Sequence, residues 1–106
     1  MTNYRTALVT GASSGIGRAT AKSLRDRGLE VHAVARDAER LEELAQEIGV
    51  IPHAVDVSDT AALEREFDGV EIDVLANIAG ASRMGNLLSA SREDVDTLVT
   101  VNLTAV

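Results

Sequence analysis

The stretch Thr10-Gly11-Ala12-Ser13-Ser14-Gly15-Ile16-Gly17 joins two segments of opposite character. Before it, Thr6-Ala7-Leu8-Val9-Thr10 is short, apolar and β-rich, and reads as a buried strand. After it, Ile16, Ala19, Thr20, Ser23 and Leu24 recur at helical spacing up to Gly28, which suits a helix stop. Residues without a Cβ let the backbone turn tightly there, and let its N–H groups approach an anion at the positive end of the following helix. The glycine spacing is that of a turn that takes a pyrophosphate. A tight strand–helix turn with no ligand is the plain alternative. A Walker-type loop is disfavoured, because no Gly-Lys-Ser/Thr follows.

The same alternation continues along the chain. Glu30–Ala35 reads as a second strand, and Asp37–Ile48 as a helix with Leu41, Leu44, Ala45 and Ile48 on one face. Val50–Val55 reads as a third strand, with Pro52 suited to a sheet edge. Ser58 is expected to cap a short helix through Phe67, and Ile72–Ala76 to form a fourth strand. Residues 80–90 read as a loop. Ser91-Arg92-Glu93-Asp94 resembles a capping box opening a further helix, with Val95, Leu98, Val99, Leu103 and Val106 near one face and Asn102 as a polar residue within it. The expected fold class is α/β. Residues 1–106 form one partial Rossmann-like, doubly wound domain, with a parallel sheet of order 3-2-1-4 and helices on both faces. The last helix has no stop signal and strand four is left with an open edge, so the chain reads as unfinished at its C-terminus.

Composition narrows the partners. Hydrophobic residues make up 45% of the 106 and aromatics only 2%, so the core must be aliphatic, as buried parallel strands require. A formal net charge of −7 argues against nucleic acid and acidic membranes. Any bound anion must be held locally, by backbone N–H groups and a few placed arginines. The chain has no cysteine, which removes disulfides, thiolate metal sites and cysteine catalysis; His32 and His53 sit in strand patterns, and no metal site is expected. With no long apolar run and no signal-type N-terminus, a soluble cytoplasmic protein is expected.

Four motifs occur in order: Thr10-Gly11-(x3)-Gly15-Ile16-Gly17, Asp56-Val57, Asn77-Ile78-Ala79-Gly80 and Val101-Asn102-Leu103. Together, in this strand–helix frame, they resemble the short-chain dehydrogenase/reductase family over essentially the whole chain. The resemblance implies a nicotinamide cofactor. Gly11, Gly15 and Gly17 would hold its pyrophosphate, with Ile16 lining the site and Ser13 and Ser14 adding hydroxyls. Asp56 would bond the adenine amino group and the Val57 N–H a ring nitrogen. Asn77, Ala79 and Gly80 would run under the ribose. Ile78 departs from the family's usual asparagine, so any sheet-bracing amide from that position is lost. Asn102 matches an asparagine that holds a water in a proton relay. Plain turn chemistry would also account for Asp56 beside Ser58, and for Asn77 at a strand end.

The position at the end of strand two, Ala35, decides between cofactors. A carboxylate there accepts from the ribose 2′-OH of NAD, whereas a guanidinium binds the 2′-phosphate of NADP. Here Ala35 is followed by Arg36, the NADP(H)-preferring pattern. Asp37 stands one residue further on and leaves NAD(H) possible.

The family's chemistry is hydride transfer between nicotinamide and an alcohol or carbonyl. A tyrosine acts as acid or base, a lysine four residues on tunes it, and a serine orients the substrate oxygen. Tyr4 is the only tyrosine and Lys22 the only lysine, so this sequence contains no Tyr-x-x-x-Lys. The expectation is therefore the cofactor-binding part of a longer, homo-oligomeric oxidoreductase acting on a small alcohol or carbonyl, inactive by itself. A non-catalytic dinucleotide-binding module and a self-associating structural fragment are the alternatives.

Overall fold

The structure, a computed structural model, describes residues 4–13, 15–78 and 99–102. Strand β1 (Thr6–Thr10) runs through the middle, with Ala7, Leu8, Val9 and Thr10 fully buried. It is followed by α1 (Gly15–Asp26), β2 (Glu30–Ala35), α2 (Ala38–Ile48), β3 (Ile51–Ala54), α3 (Thr60–Glu66), β4 (Val74–Asn77) and β5 (Val99–Asn102). Every strand pair is parallel, and the order is β3-β2-β1-β4-β5. The expected 3-2-1-4 arrangement is present, extended by one strand.

Alternation along the strands divides the core in two. On one face Ala7, Val9, Val31, Ala33 and Ala76 meet Ala21 of α1 and Leu41 and Leu44 of α2. On the other, Leu8, Val34 and Leu75 meet Leu63 and Phe67 at α3, with Ile72 beside them. The first face is built from small residues, which lets two helices lie close against the sheet. Gly17 carries this furthest. A Cβ at that position would run into the Gly11 carbonyl oxygen and stand 2.8 Å from the Ala12 Cα, so α1 rests directly on the turn that leads into it.

Two polar contacts join β1 to β4. The Asp73 carboxylate accepts from the backbone N–H groups of Arg5 (2.9 Å) and Thr6 (3.1 Å) at the start of the pair. At its end, the buried Thr10 hydroxyl donates to Asn77 Oδ1 at 2.9 Å.

Several expectations are corrected. Val99–Asn102 is a strand beside β4 rather than part of a helix, so Asn102 ends β5 in register with Asn77. Val99, Thr100 and Val101 are three β-branched residues in a row, stiff in helices and suited to a pleated surface. They also supply partners for the edge of β4 that the sequence reading left open. The rest of that expected helix, residues 91–98 and 103–106, lies outside the described residues. The cap of α3 is Asp59, which accepts from the Ala62 N–H at 3.1 Å, and not Ser58. Strand β4 begins at Val74 rather than Ile72, because Asp73 is spent on the start of β1. Pro52 lies in β3, an edge strand, as expected.

Two measurements of urea unfolding test this packing. Gly17→Ala should lose about 1–3 kcal/mol through overpacking, whereas Gly15→Ala, whose Cβ would meet nothing within 4 Å, should stay within about 1 kcal/mol of the parent. Equal effects would remove the special role of Gly17. Thr10→Val should cost about 1–3 kcal/mol by taking a hydrogen bond from a buried amide; an unchanged midpoint would discount that tie.

Candidate functional site

The chain steps from β1 to β2 on one side of the sheet, then crosses from β3 to β4 on the other. The topological switch therefore falls between β1 and β4, and in such sheets ligands bind outside the carboxyl ends of the strands at that point. The register brings the ends together. Thr10 pairs with Val34 and with Asn77, Asn77 with Asn102, and Ala35 with Ala54. Thus the residues that close β1, β2, β4 and β5, with those just past β3, share one crest.

Gly11 leaves β1 with φ at +64°, a left-handed conformation that L side chains rarely adopt. The Ala12 N–H then donates to the Val34 carbonyl at 3.3 Å, and the buried Ala12 holds the turn against the core. Ser13 is half-buried and borders a depression of about 200 Å³ with Ala12, Arg18, Arg40, Glu43 and Leu44. Arg18 forms an ion pair with Glu47 that ties α1 to α2. Gly15 opens α1, and the space where its Cβ would be is empty. Ile16 beside it is 44% exposed. The first turn of α1 holds no acidic side chain. An approaching pyrophosphate would thus meet helix N–H groups, no competing carboxylate and no steric barrier at Gly15. The residues present fit such a group.

The other two helix starts differ. Asp37 caps α2, accepting from the Arg40 N–H at 3.2 Å and pairing with the Arg40 side chain at 3.6 Å. Asp59 serves α3 in the same way. Arg36, between β2 and the Asp37 cap, is exposed. Asp56 Oδ1 accepts from the Ser58 N–H at 2.9 Å and the Ser58 hydroxyl at 2.8 Å. Those two bonds, first the backbone and then the hydroxyl, hold the Asp56 carboxyl below its ordinary value, and the positive Arg36 adds to them. The ionised form of Asp56 is thus the one that fixes the turn. Val57 packs partly buried against the core beneath α3.

Of the expected site residues, the structure brings Gly11, Ser13, Gly15, Ile16, Gly17, Arg36, Asp56, Val57 and Asn77 to the carboxyl end of the sheet. Asn102 joins them from β5 rather than from a helix. Ser14, Ala79 and Gly80 lie outside the described residues. Ile78 has a role of its own, since it is buried in the same core cluster as Ala12. One contact has no counterpart in the sequence expectations, the Thr10 hydroxyl that holds Asn77, whereas the pairing of Asp56 with Ser58 matches the expected turn chemistry. A threonine closing a buried strand must find a partner, and that was the available signal.

Comparison with known proteins agrees with this geometry. Residues 5–106 match the family described as short chain dehydrogenase. The L-xylulose reductase of Mus musculus is 42% identical over 104 residues, covering 96% of this chain and 43% of that protein. The carbonyl reductase (NADPH) 2 of Sus scrofa is 43% identical over 102 residues, covering 94% of this chain and 42% of that protein. A metagenomic short-chain oxidoreductase solved in complex with NADP superposes with a TM-score of 0.67 at 39% identity, covering 73% of this chain and 39% of that one. The chain therefore spans less than half the length of the curated relatives it matches. Matched by the family model from residue 5 to residue 106, and folded as its solved relatives are, this chain belongs to the short-chain dehydrogenase family.

Proposed function

We propose that this chain is the cofactor-binding portion of an NADP(H)-dependent oxidoreductase that moves a hydride between nicotinamide and a small alcohol or carbonyl substrate. The observation that carries the reading is the start of α1. It lies at the switch point, has no acid in its first turn, and is open at Gly15. When bound, the nicotinamide supplies or accepts the hydride.

The chain's own residues bind and orient. Gly11 and Gly17 keep the turn tight enough for backbone N–H groups to reach the pyrophosphate. Asp56 and Val57 take the adenine edge, with Asp56 held ionised by Ser58. Asn77, fixed by Thr10, is the residue that would run under the ribose; the assignment of Ala79 and Gly80 to the same contact rests on their sequence motif alone. Asn102 belongs to the same proposal as a proton-relay residue, now at the carboxyl end of a strand.

Preference for NADP(H) is supported by Arg36 and Asp37 together. The carboxylate that would accept a ribose 2′-OH is occupied as the cap of α2, while the adjacent guanidinium is exposed. The relatives named for NADPH and solved with NADP point the same way.

Titration of the purified chain with NADPH and NADH tests the site. Gly15→Ala should keep the fold and bind both cofactors about tenfold more weakly or worse, as its methyl group fills the cradle. Arg36→Ala should weaken NADPH by about ten- to a hundredfold and spare NADH. Full affinity in the first variant, or equal losses in the second, would count against the assignment. With no Tyr-x-x-x-Lys in its sequence, the chain alone should bind NADPH without oxidising it in the presence of carbonyl substrates; steady turnover followed by NADPH absorbance would contradict this.

A further inference from the structure

Away from the cofactor crest, β2, β3 and α3 bring two imidazoles and a carboxylate into one chain. His32 Nδ1 and His53 Nε2 are 2.8 Å apart, and His53 Nδ1 lies 2.6 Å from Glu66 Oε1. The rings meet edge to edge, with centroids 5.0 Å apart and planes 29° from parallel. Phe67 lies against both, its ring centre 4.5 Å from that of His53 and 6.0 Å from that of His32. His32 is only 7% exposed. Among the described residues no three side chains converge as metal ligands, so this contact is a hydrogen-bonded chain.

Its proton count is constrained. The Glu66 carboxylate only accepts, so His53 Nδ1 carries a hydrogen. In the neutral pair, His32 Nδ1–H donates to His53 Nε2. A first added proton is taken up at His32 Nε2 while the bridging hydrogen shifts from His32 Nδ1 to His53 Nε2, which reverses that bond and leaves the cation beside Glu66. A second proton would set two N–H donors against each other and two like charges about 5 Å apart, inside an apolar wall.

We propose that His32, His53 and Glu66 form a proton-operated latch that fastens the edge strand β3 and helix α3 to the sheet, and releases them when the imidazole pair takes up its second proton. β3 is the weak point on which such a latch can act. It is four residues long and bonds to the sheet through β2 alone. The charged groups facing the pair are Glu66 from α3 and Glu30 from β2. Burial, then the neighbouring His53, disfavours charge on His32, and Glu30 opposes this more weakly. An opened His32 titrates near its ordinary value of about 6.5, so the open form binds more protons than the latched one. The latch is therefore at full strength above that pH and weakens as pH falls below it, until His32 is charged in both forms.

Native-state hydrogen exchange on the cofactor-free protein tests this, and its outcome does not depend on the dinucleotide reading. The readout is the protection of the β3 amides and of Val55, whose N–H donates to the Ala35 carbonyl at 3.1 Å, relative to the β1 amides. Below pH ~6.5 the β3 set should lose protection by up to about tenfold per pH unit beyond any loss in β1. Nitrogen-15 shifts of the imidazoles should show one donor and one acceptor across the His32–His53 contact above that range, and two donors below it. His32→Phe should remove the extra pH dependence. Parallel behaviour of β3 and β1 in the unaltered protein, or an undiminished pH dependence in His32→Phe, would overturn the latch. If that variant does not fold, the unaltered protein's exchange and nitrogen shifts still decide the matter.

Discussion

Helix α1 meets the turn that precedes it with no side chain between them. Gly17 lies against the Gly11 carbonyl, and the helix axis can approach β1 only because that position lacks a Cβ. From this contact follow the burial of Ala12, the bond from Ala12 N–H to Val34, and the aim of the α1 N-terminus at the crest between β1 and β4. Small residues on the same sheet face extend the effect, since Ala7, Ala33 and Ala76 leave room for α1 and α2 together. A bulkier face would move both helices outward and carry the N-terminus of α1 off the switch point.

Electrostatics follows from that placement. A chain of net charge −7 offers no global attraction for an anion, so any anion bound here is held by local dipoles. Two of its helices are capped by their own aspartates, Asp37 and Asp59, each accepting one first-turn N–H. The first turn of α1 carries no acid. That difference separates structural helix starts from the one suited to an external anion.

Much of this was legible in the residues. The strand–helix alternation followed from apolar periodicity and the 3-2-1-4 order from the connection rules of a doubly wound sheet. Gly11, with its positive φ, and Gly17, with no room for a Cβ, marked the turn. What the sequence concealed was mostly partner choice. Ser58 and Asp59 are both credible caps, and only the folded turn shows Ser58 bound to Asp56 and Asp59 left for the helix. Asn102 was misplaced for a different reason. Apolar spacing suggested a helix across residues 91–106, but three β-branched residues beside an unpaired strand edge favour a sheet locally. The His32–His53 contact joins residues 21 apart in the chain across a strand pair, and no local pattern announces such a meeting.

The two rims of the sheet are not equivalent. On one, β3 is short and carries Pro52, a residue that has no N–H to offer a neighbour. On the other, β5 is built from Val99, Thr100, Val101 and Asn102, each with a backbone N–H. Among the described residues, the two edge strands thus differ in their capacity to accept a neighbour: β3 has a gap at Pro52, whereas β5 keeps an N–H at every position.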